Sequence, residues 1–415
     1  MRLEIGFGTK PQICDLPDKN VIGILHPNKV DLPEKGVSVV EAALRHPIGT
    51  SRLAEIVKPG ERVAIITSDI TRPVPSYKIL PPVLNELWQA GITPADVTVV
   101  FALGSHRRQT QDEMRKLVGK AVYSQIRCVD GDPGDIVHMG TTRLGTPVDI
   151  TRVVAEADRR IGIGNIEYHY FAGYSGGAKA IMPGVSTRAA IQSNHSRMVL
   201  PEAAAGRLEG NPVREDIEEA LAYCPLDFIV NVVVDEHKEI IHAAAGHAVE
   251  AHRRGCRFLD RLYRKEISER ADIVIASQGG APKDLNLYQT QKALDNAKHA
   301  VKNGGVIILV GSCKEGLGED VFEEWMTNSK SPMEMVARIQ QDFQLGGHKA
   351  AAIGLVLKSA DIYLVSEMEP ALVASIFMKP FSTVQAAVDA AFARWGENAT
   401  ALIMPYGGST LPVVV

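Results

Sequence analysis

Short runs of β-branched and aliphatic residues recur along the chain, and each is followed by a small polar cluster and then an amphipathic segment. The clearest runs lie at 63–68, 97–101, 161–164, 273–277 and 306–310. Strands that alternate with amphipathic helices are typical of βαβ units. The sequence therefore predicts an α/β fold built on mostly parallel sheets.

Two segments between these runs carry helix signals. From Ser76 to Ala90 the apolar residues recur at helical spacing, and Gly91 follows as a suitable stop. Thr110 and Glu113 have the spacing of a capping box, in which each residue hydrogen-bonds the other's backbone at a helix start. We expect a helix after the first run and another that begins at Thr110.

The length of the chain predicts more than one domain. A chain of 415 residues exceeds what a single hydrophobic core usually supports, so we expect two α/β domains. A polar stretch at 264–272 precedes the run at 273–277, where a new βαβ series begins. We place the domains at 1–270 and 271–415, and we treat the run at 400–404 as a candidate last strand that returns to the first domain.

Composition excludes several classes of protein. Hydrophobic residues make up 45% of the chain and charged residues 23%, which is typical of globular proteins. The net charge of −4 and the scattered basic residues argue against nucleic acid as a partner. No uninterrupted apolar stretch approaches the roughly 18 residues that a membrane span needs. We expect no membrane partner.

The cysteines indicate a reducing compartment. There are five, an odd number, and they are far apart and never in C-x-x-C spacing. This spacing argues against a disulfide framework and a zinc knuckle. We therefore expect a cytoplasmic protein.

Polar clusters follow the first two runs, where the carboxyl ends of parallel strands usually bind ligands. The first cluster contains Asp69, Thr71 and Arg72, and the planar guanidinium of an arginine suits a carboxylate or a phosphate. Helix capping by Asp69 or Thr71, with a solvated arginine, explains that cluster equally well. The second cluster contains His106, which on its own would more often be structural than catalytic.

The most informative segment is 167–184, which includes His169. Three glycines and a serine lie within five residues, so the backbone can approach a ligand closely and its amides can cradle a phosphate. The spacing does not match a P-loop, because Ala178 separates Gly177 from Lys179 and Ala180 replaces the hydroxyl residue that binds magnesium. Lys179 is instead a candidate for holding pyridoxal phosphate as a Schiff base, or another cofactor covalently.

Two further elements carry candidate site residues. His195 lies sixteen residues after Lys179, and histidine is a common transition-metal ligand, although one histidine specifies no metal. In the segment 284–292, Gln289 and Lys292 are three residues apart and so share one face of a predicted helix.

Together these segments resemble the nickel-dependent lactate racemase family. The matching pieces are SDITRPVPS, GSHR, HYFAGYSGGAKAIMPG, NHS and NLYQTQK, in that order, over about residues 68 to 292. Members of this family have two α/β domains that flank a cleft. They carry a pyridinium-derived mononucleotide in which nickel is held as a pincer complex, and cofactor biosynthesis proteins supply it.

The resemblance implies a role for each matching residue. Lys179 would be the covalent anchor of the nickel-pincer nucleotide, which the N-terminal domain would bind, and His195 would be the protein ligand to nickel. His106 and His169 would be the two acid/base groups. The substrate carboxylate and hydroxyl would be held by Arg72, Gln289 and Lys292. The residues that would lie against the cofactor and its phosphate are Asp69, Thr71, Ser175, Gly176 and Gly177.

The implied reaction is racemisation or epimerisation of a small 2-hydroxy acid. Hydride would leave the α-carbon for the cofactor and return to either face of a transient 2-keto acid. Family members that act on lactate tend to have a tryptophan near the nickel, whereas the corresponding stretch 342–349 has none. This departure bears on lactate as the substrate more than on the reaction. Two alternatives remain open: a pyridoxal-phosphate enzyme that uses Lys179, and a non-catalytic phosphate- or nucleotide-binding protein.

Overall fold

The structure is a computed structural model that describes residues 1–235 and 237–415. Its strands, in chain order, are β1 Arg2–Ile5, β2 Gln12–Asp15, β3 Val21–Ile24, β4 Val63–Ser68, β5 Val97–Ala102, β6 Arg127–Asp130, β7 Ile136–Thr141, β8 Pro147–Thr151, β9 Arg159–Asn165, β10 Tyr168–His169, β11 Gly173–Tyr174, β12 Phe228–Val234, β13 Ile240–Gly246, β14 Arg264–Ile267, β15 Ala271–Ser277, β16 Val301–Val310, β17 Asp361–Val365, β18 Lys379–Phe381, β19 Ala401–Met404 and β20 Leu411–Val414.

The α-helices of the same residues are α1 Val37–Arg45, α2 Leu53–Ile56, α3 Ser76–Gln89, α4 Gln111–Val118, α5 Lys120–Gln125, α6 Arg152–Ala155, α7 Arg188–His195, α8 Pro212–Glu219, α9 Glu250–Tyr263, α10 Leu287–Ala297, α11 Asp320–Asn328, α12 Pro332–Gln341, α13 Gly347–Leu357, α14 Pro370–Ser375 and α15 Val384–Trp395. The helices α3 and α4 are the two that the sequence predicts. Thr110 and Glu113 form the expected capping box at the start of α4.

The chain forms two units. The central unit is Val30–Asp260, and the terminal unit combines Met1–Lys29 with Arg261–Val415. Each contains one six-stranded sheet. All strand pairs in the six-stranded sheet of the terminal unit are parallel, and in the six-stranded sheet of the central unit, over the described residues, only the pair β12–β13 is antiparallel. The predicted α/β class with mostly parallel sheets is confirmed.

This division differs from the predicted one at residue 270. The first 29 residues group with the C-terminal half because β3 pairs in parallel with β19, with Val21 opposite Ala401 and Ile24 opposite Ile403. The run at 400–404 forms β19, which pairs with β15 and returns to pair with β3 of the N-terminal segment, and all three strands belong to the terminal unit. The polar stretch at 264–272 is not a simple linker, because it contains β14, which pairs with β20.

The sheet of the central unit has the order β13-β12-β9-β4-β5-β6. From β4 the chain proceeds to β5 and β6 on one side, and it later places β9 on the other side of β4. The strand order therefore reverses between β4 and β9, and ligands of open α/β sheets bind in the crevice at such a point. The loops after β4, β5 and β9 carry most of the candidate site residues.

Buried aliphatic side chains cover both faces of this sheet. Ile65 and Val99 belong to the hydrophobic core on one face, and Ala64 and Val100 belong to the core on the other. Because successive strand residues point to opposite faces, a strand buried on both faces is apolar throughout. The first polar side chains then appear where the strands end. Among the described residues, no helix has the length and apolar character needed to cross a membrane.

Candidate active site

The carboxylate of Asp69 positions the ring of His106. Asp69 follows β4 directly and is 3% exposed, and its Oδ2 lies 2.7 Å from Nδ1 of His106, which follows β5. The hydroxyl of Thr71 donates to the other carboxylate oxygen at 2.8 Å. An ionised carboxylate only accepts hydrogen bonds, so Nδ1 carries the proton and the lone pair of the neutral ring lies on Nε2. His106 is thereby prepared to act as a base at Nε2.

The electrostatics of this pair favour the ionised carboxylate. Burial acts to raise the pKa of Asp69, but the hydrogen bonds and charge of His106, the hydroxyl of Thr71 and the charge of Arg72 outweigh it. The pKa of Asp69 consequently lies below its usual value. Asp69 stays an acceptor throughout the neutral pH range, so the orientation of His106 is maintained.

Replacing Asp69 by asparagine should slow turnover without unfolding the protein. The amide can present its NH2 group to Nδ1, which favours the tautomer that has no lone pair on Nε2. We expect Asp69→Asn to lower kcat by up to about 10⁴-fold, the full contribution of a general base. Steady-state kinetics of parent and variant would measure this. A kcat within twofold of the parent would contradict the orienting role, and Asp132→Asn, on an exposed carboxylate, is the control.

Three of the predicted site residues surround the ring of Phe171. The ring centroids of His169 and His195 lie 4.5 and 4.9 Å from that of Phe171, both edge-on, and Nζ of Lys179 lies 6.0 Å from it. Phe171 is 2% exposed and lies between β10 and β11, so the hairpin that these two strands form fixes its position. We call His169, Phe171, Lys179 and His195 the Phe171 cluster. His169 and His195, which are 26 positions apart in the chain, thus contact the same ring.

Lys179 is prepared for nucleophilic chemistry. Burial, together with the positive charges of Arg214 and Arg72, lowers the pKa of Lys179 well below its usual value. A lowered pKa increases the share of the neutral amine at neutral pH, which is the form that can attack an electrophilic carbon. The influence of Arg72 also shows that the loop after β4 lies near the Phe171 cluster.

Hydrogen bonds to Asn231 and Asn165 hold the glycine turn, Ser175-Gly176-Gly177, in place. The N–H of Gly177 donates to Oδ1 of Asn231 at 2.7 Å, and the hydroxyl of Ser175 donates to the carbonyl of Asn165 at 2.7 Å. Gly176 and Gly177 have φ of 76° and 61°, which favours glycine. These polar groups are used within the protein, so the turn is a rigid support rather than a set of open amides.

Arg214 and His252 lie directly under the turn. A Cβ atom on Gly177 would come within 2.8 Å of both side chains, so only glycine fits. Arg214 is 1% exposed and donates to His252 Nδ1 at 2.9 Å and to the carbonyl of Gly176 at 3.3 Å. His252 Nε2 donates to the carbonyl of Ser175 at 2.8 Å. Burial and the neighbouring Arg214 lower the pKa of His252 well below its usual value, so the ring is neutral.

Glu218 balances the buried charge of Arg214. It accepts from Arg214 Nε at 2.6 Å and from both terminal nitrogens of Arg253 at 2.7 and 2.8 Å. Burial acts to raise the pKa of Glu218, but the two arginines outweigh it and the pKa is lowered. A carboxylate on α8 thereby stabilises an arginine that supports the turn.

Loss of this carboxylate should destabilise the fold. Glu218→Gln leaves Arg214 buried without its counter-charge, and we expect a decrease of about 3 kcal/mol in the free energy of unfolding at neutral pH. Because the folded pKa of Glu218 is lowered, its contribution is present above the unfolded value of about 4.3 and disappears as pH falls through the folded value. Urea unfolding of parent and variant at several pH values would show the difference narrowing below about pH 4.

The control for that measurement is Glu324→Gln. Glu324 pairs with Arg338 at the surface, with side chains 46% and 38% exposed. Exposed pairs contribute little, so the change should be about 0.5 kcal/mol or less. Equal losses for Glu218→Gln and Glu324→Gln would contradict the burial argument.

The remaining predicted residues lie on two helices. His195 is the last residue of α7, is 5% exposed, and places Nδ1 2.8 Å from Oδ1 of Asn194. Gln289 and Lys292 lie on α10 of the terminal unit, whose N-cap is Asn286. In residues 1–235 and 237–415, no group of three or more His, Cys, Asp or Glu side chains is arranged to hold a metal ion.

Sequence reasoning missed the residues that support the site from inside. Phe171 stood within the informative segment but carried no chemical signal of its own. Arg214 and Glu218 are four apart on α8, a spacing that predicts a helical ion pair but not its position under the glycine turn. His252, on α9, is 75 residues beyond Gly177. Only the folded chain brings these groups together.

Comparison with known proteins assigns the family. The model of the lactate racemase N-terminal domain matches residues 7–206, and that of the lactate racemase C-terminal domain matches residues 267–414. The chain belongs to the lactate racemase family. The resemblance drawn from the sequence motifs is thereby confirmed at the level of the family.

Relatives named lactate racemase cover most of the chain. One, from Thermoanaerobacterium thermosaccharolyticum, is 38% identical over 346 residues, which are 81% of this chain and 80% of the relative. Another, from Lactiplantibacillus plantarum, is 32% identical over 422 residues, or 98% of each chain. A racemase is an isomerase, so family membership makes this chain an enzyme of that class. The non-catalytic alternative is set aside.

Solved structures agree with the fold. The lactate racemase apoprotein from Thermoanaerobacterium thermosaccharolyticum superimposes with a TM-score of 0.88 at 32% identity, over 100% of both chains. A protein from Thermotoga maritima gives a TM-score of 0.65 at 16% identity, over 91% of this chain and 98% of that one. The second likeness shows a shared fold alone.

Proposed function

We propose that this enzyme interconverts the two configurations of a small 2-hydroxy acid, with lactate as the first substrate to test. The observation that carries the proposal is the Phe171 cluster, where His169, Lys179 and His195 meet beside the point at which the strand order reverses. The relatives at 38% and 32% identity bear the name of the lactate reaction. The absence of a tryptophan in residues 342–349 makes malate and longer 2-hydroxy acids the next substrates to assay.

The residues present fit a cofactor that is held covalently and contains a metal. Lys179 has the lowered pKa of an amine that can form a covalent bond, and His195 offers one imidazole. Since the described residues supply no cluster of three or more metal-binding side chains, most ligands to a metal would come from the cofactor itself. In a pincer complex, the organic ligand itself supplies most of the atoms that bind the metal. The nickel-pincer nucleotide would then be held by Lys179 and His195.

Further residues would complete the cofactor site. Asp69, Thr71 and the glycine turn would lie against the nucleotide, with the turn kept rigid by Asn231 and Arg214. When bound, the cofactor would supply an acceptor and donor of hydride. This matters because the α-hydrogen of an ionised 2-hydroxy acid is a very weak acid, so direct proton abstraction is unfavourable.

The chain's own side chains would move the hydroxyl proton and hold the substrate. His106, with its lone pair on Nε2, would take the proton from the hydroxyl of one enantiomer, and His169 would serve the other. Arg72, Gln289 and Lys292 would bind the carboxylate and hydroxyl, so that the planar 2-keto acid stays bound while it reorients. Imidazole side chains suit acid and base work at neutral pH.

The active protein should contain about one nickel per chain, and His195→Ala should lose it. The expected loss follows from His195 being the protein's ligand in this proposal, and metal analysis of the purified protein together with circular dichroism would measure it. The control is His138→Ala, since His138 is a solvent-exposed partner of Asp149. Stoichiometric nickel in His195→Ala would contradict the ligand role. A Schiff-base absorption band without nickel would instead favour the pyridoxal-phosphate alternative.

The cellular setting is part of the same proposal. In the described residues all five cysteines are free, as a reducing cytoplasm would keep them. Cofactor biosynthesis proteins of the host would supply the nickel nucleotide. Protein produced in a host without them should therefore be inactive until the cofactor is provided.

A further inference from the structure

A buried chain of hydrogen bonds connects Asp216 on α8 to His195 on α7 through Asn194. Asn194 and Asp216 are 0% and 1% exposed. The side-chain nitrogen of Asn194 donates to Asp216 Oδ2 at 2.7 Å and to the carbonyl of Val213 at 3.1 Å. Both partners only accept hydrogen bonds, so the amide nitrogen must face them and Oδ1 must face the other way.

The orientation of Asn194 determines the tautomer of His195. Oδ1 of Asn194 lies 2.8 Å from Nδ1 of His195 and can only accept, so Nδ1 must carry a proton. We propose that Asp216 is a positioning residue for His195. Acting through Asn194, it holds the imidazole with its proton on Nδ1 and its lone pair on Nε2, the arrangement needed for a metal bond from Nε2.

Other bonds hold Asp216 itself in place. Its two carboxylate oxygens accept from the hydroxyls of Thr142, at 2.5 Å, and Thr146, at 2.7 Å. Arg197 places Nη1 3.7 Å from Oδ2 and offsets the buried charge. A carboxylate fixed by several donors cannot rotate to release Asn194. Metal-binding histidines usually have the second ring nitrogen fixed in this way.

The tautomer of His195 can be measured directly in the protein without cofactor. With ¹⁵N-labelled histidine, the ring nitrogens have well-separated shifts according to whether they carry the proton, and His195→Ala identifies the signals. At about pH 8, above the usual imidazole pKa, we expect the Nδ1–H form to dominate in the parent. Asp216→Leu and Asn194→Leu should each lower the ratio of the Nδ1–H to the Nε2–H form by about 5- to 10-fold, the effect of one hydrogen bond.

Glu219→Leu is the matched control, because Glu219 lies on the same helix as Asp216 but accepts hydrogen bonds from Arg143 and has no bond to Asn194 or Asp216 in the described residues. It should leave the ratio within twofold of the parent. A parent spectrum with the proton of His195 on Nε2 would overturn the proposal even if a variant failed to fold. A ratio that Asp216→Leu and Asn194→Leu leave unchanged would also overturn it.

The link to metal binding rests on the proposed function and has its own readout. In protein carrying the cofactor, Asp216→Leu and Asn194→Leu should weaken nickel retention against a chelator by about 10- to 100-fold, and Glu219→Leu should not. Unchanged nickel retention in both Asp216→Leu and Asn194→Leu would overturn the role of Asp216 in metal binding. Retention of nickel in His195→Ala would instead remove the proposed function and leave the tautomer measurement intact.

Discussion

Active protein should weigh more than its sequence by the mass of one cofactor, and Lys179→Ala should abolish both the added mass and the activity. The amine of Lys179 has its pKa lowered by burial and by the charges of Arg214 and Arg72, which favours the neutral, nucleophilic form. A cofactor that carries the difficult chemistry cannot be replaced by the protein once its anchor is lost, so activity should fall to background. Mass spectrometry of the intact protein and of its peptides would locate the modification.

The control variants separate anchoring from side-chain volume. Lys179→Met keeps a side chain of similar length but has no amine for the covalent bond, so it should behave like Lys179→Ala. Lys330→Ala, at an exposed position, should retain the added mass and full activity. Fully active enzyme with an unmodified Lys179 would refute the anchor role.

Much of the central unit could be predicted from sequence because its signals are local. The runs at 63–68 and 97–101 became β4 and β5, since buried parallel strands are apolar on both faces. His106 and Asp69 could be expected together because the ends of adjacent parallel strands share one edge. Their 2.7 Å contact agrees with that expectation.

What sequence could not show depends on long-range pairing. The β3 strand, Val21–Ile24, is short and partly exposed, and its partner β19 begins only at Ala401. No periodicity within either segment specifies that partner. The same holds for Arg214, whose helical spacing to Glu218 is visible in the sequence but whose contact with the glycine turn is not.

Removing either His106 or His169 should stop net racemisation in both directions. Each turnover uses one histidine as base and the other as acid, so neither direction can do without either ring. Loss of one general base typically costs about 10²- to 10⁴-fold in rate. The two losses need not be equal, because His106 is oriented by Asp69, whereas Nδ1 of His169 accepts from the N–H of Ala172 at 3.2 Å.

Steady-state rates from each enantiomer would test this pair. His138→Ala, at the exposed histidine that pairs with Asp149, should leave both directions unchanged. If His106→Ala or His169→Ala kept the parental kcat/KM, the two-histidine scheme would be wrong. Equal losses in the two directions serve only as an internal check, since a catalyst cannot change the ratio of forward to reverse kcat/KM for a racemisation.

The fate of the α-hydrogen distinguishes hydride transfer from proton abstraction. Substrate deuterated at the α-carbon should racemise more slowly in ordinary water, and the product should keep its deuterium, because hydride is passed to a bound group and returned without exchange. A histidine that removed the α-hydrogen as a proton would exchange it with solvent, and the label would disappear at the rate of racemisation. Mass spectrometry of the product at partial conversion separates the two. Complete loss of deuterium at that rate would exclude the hydride path and would assign His106 and His169 to the α-carbon rather than to the hydroxyl.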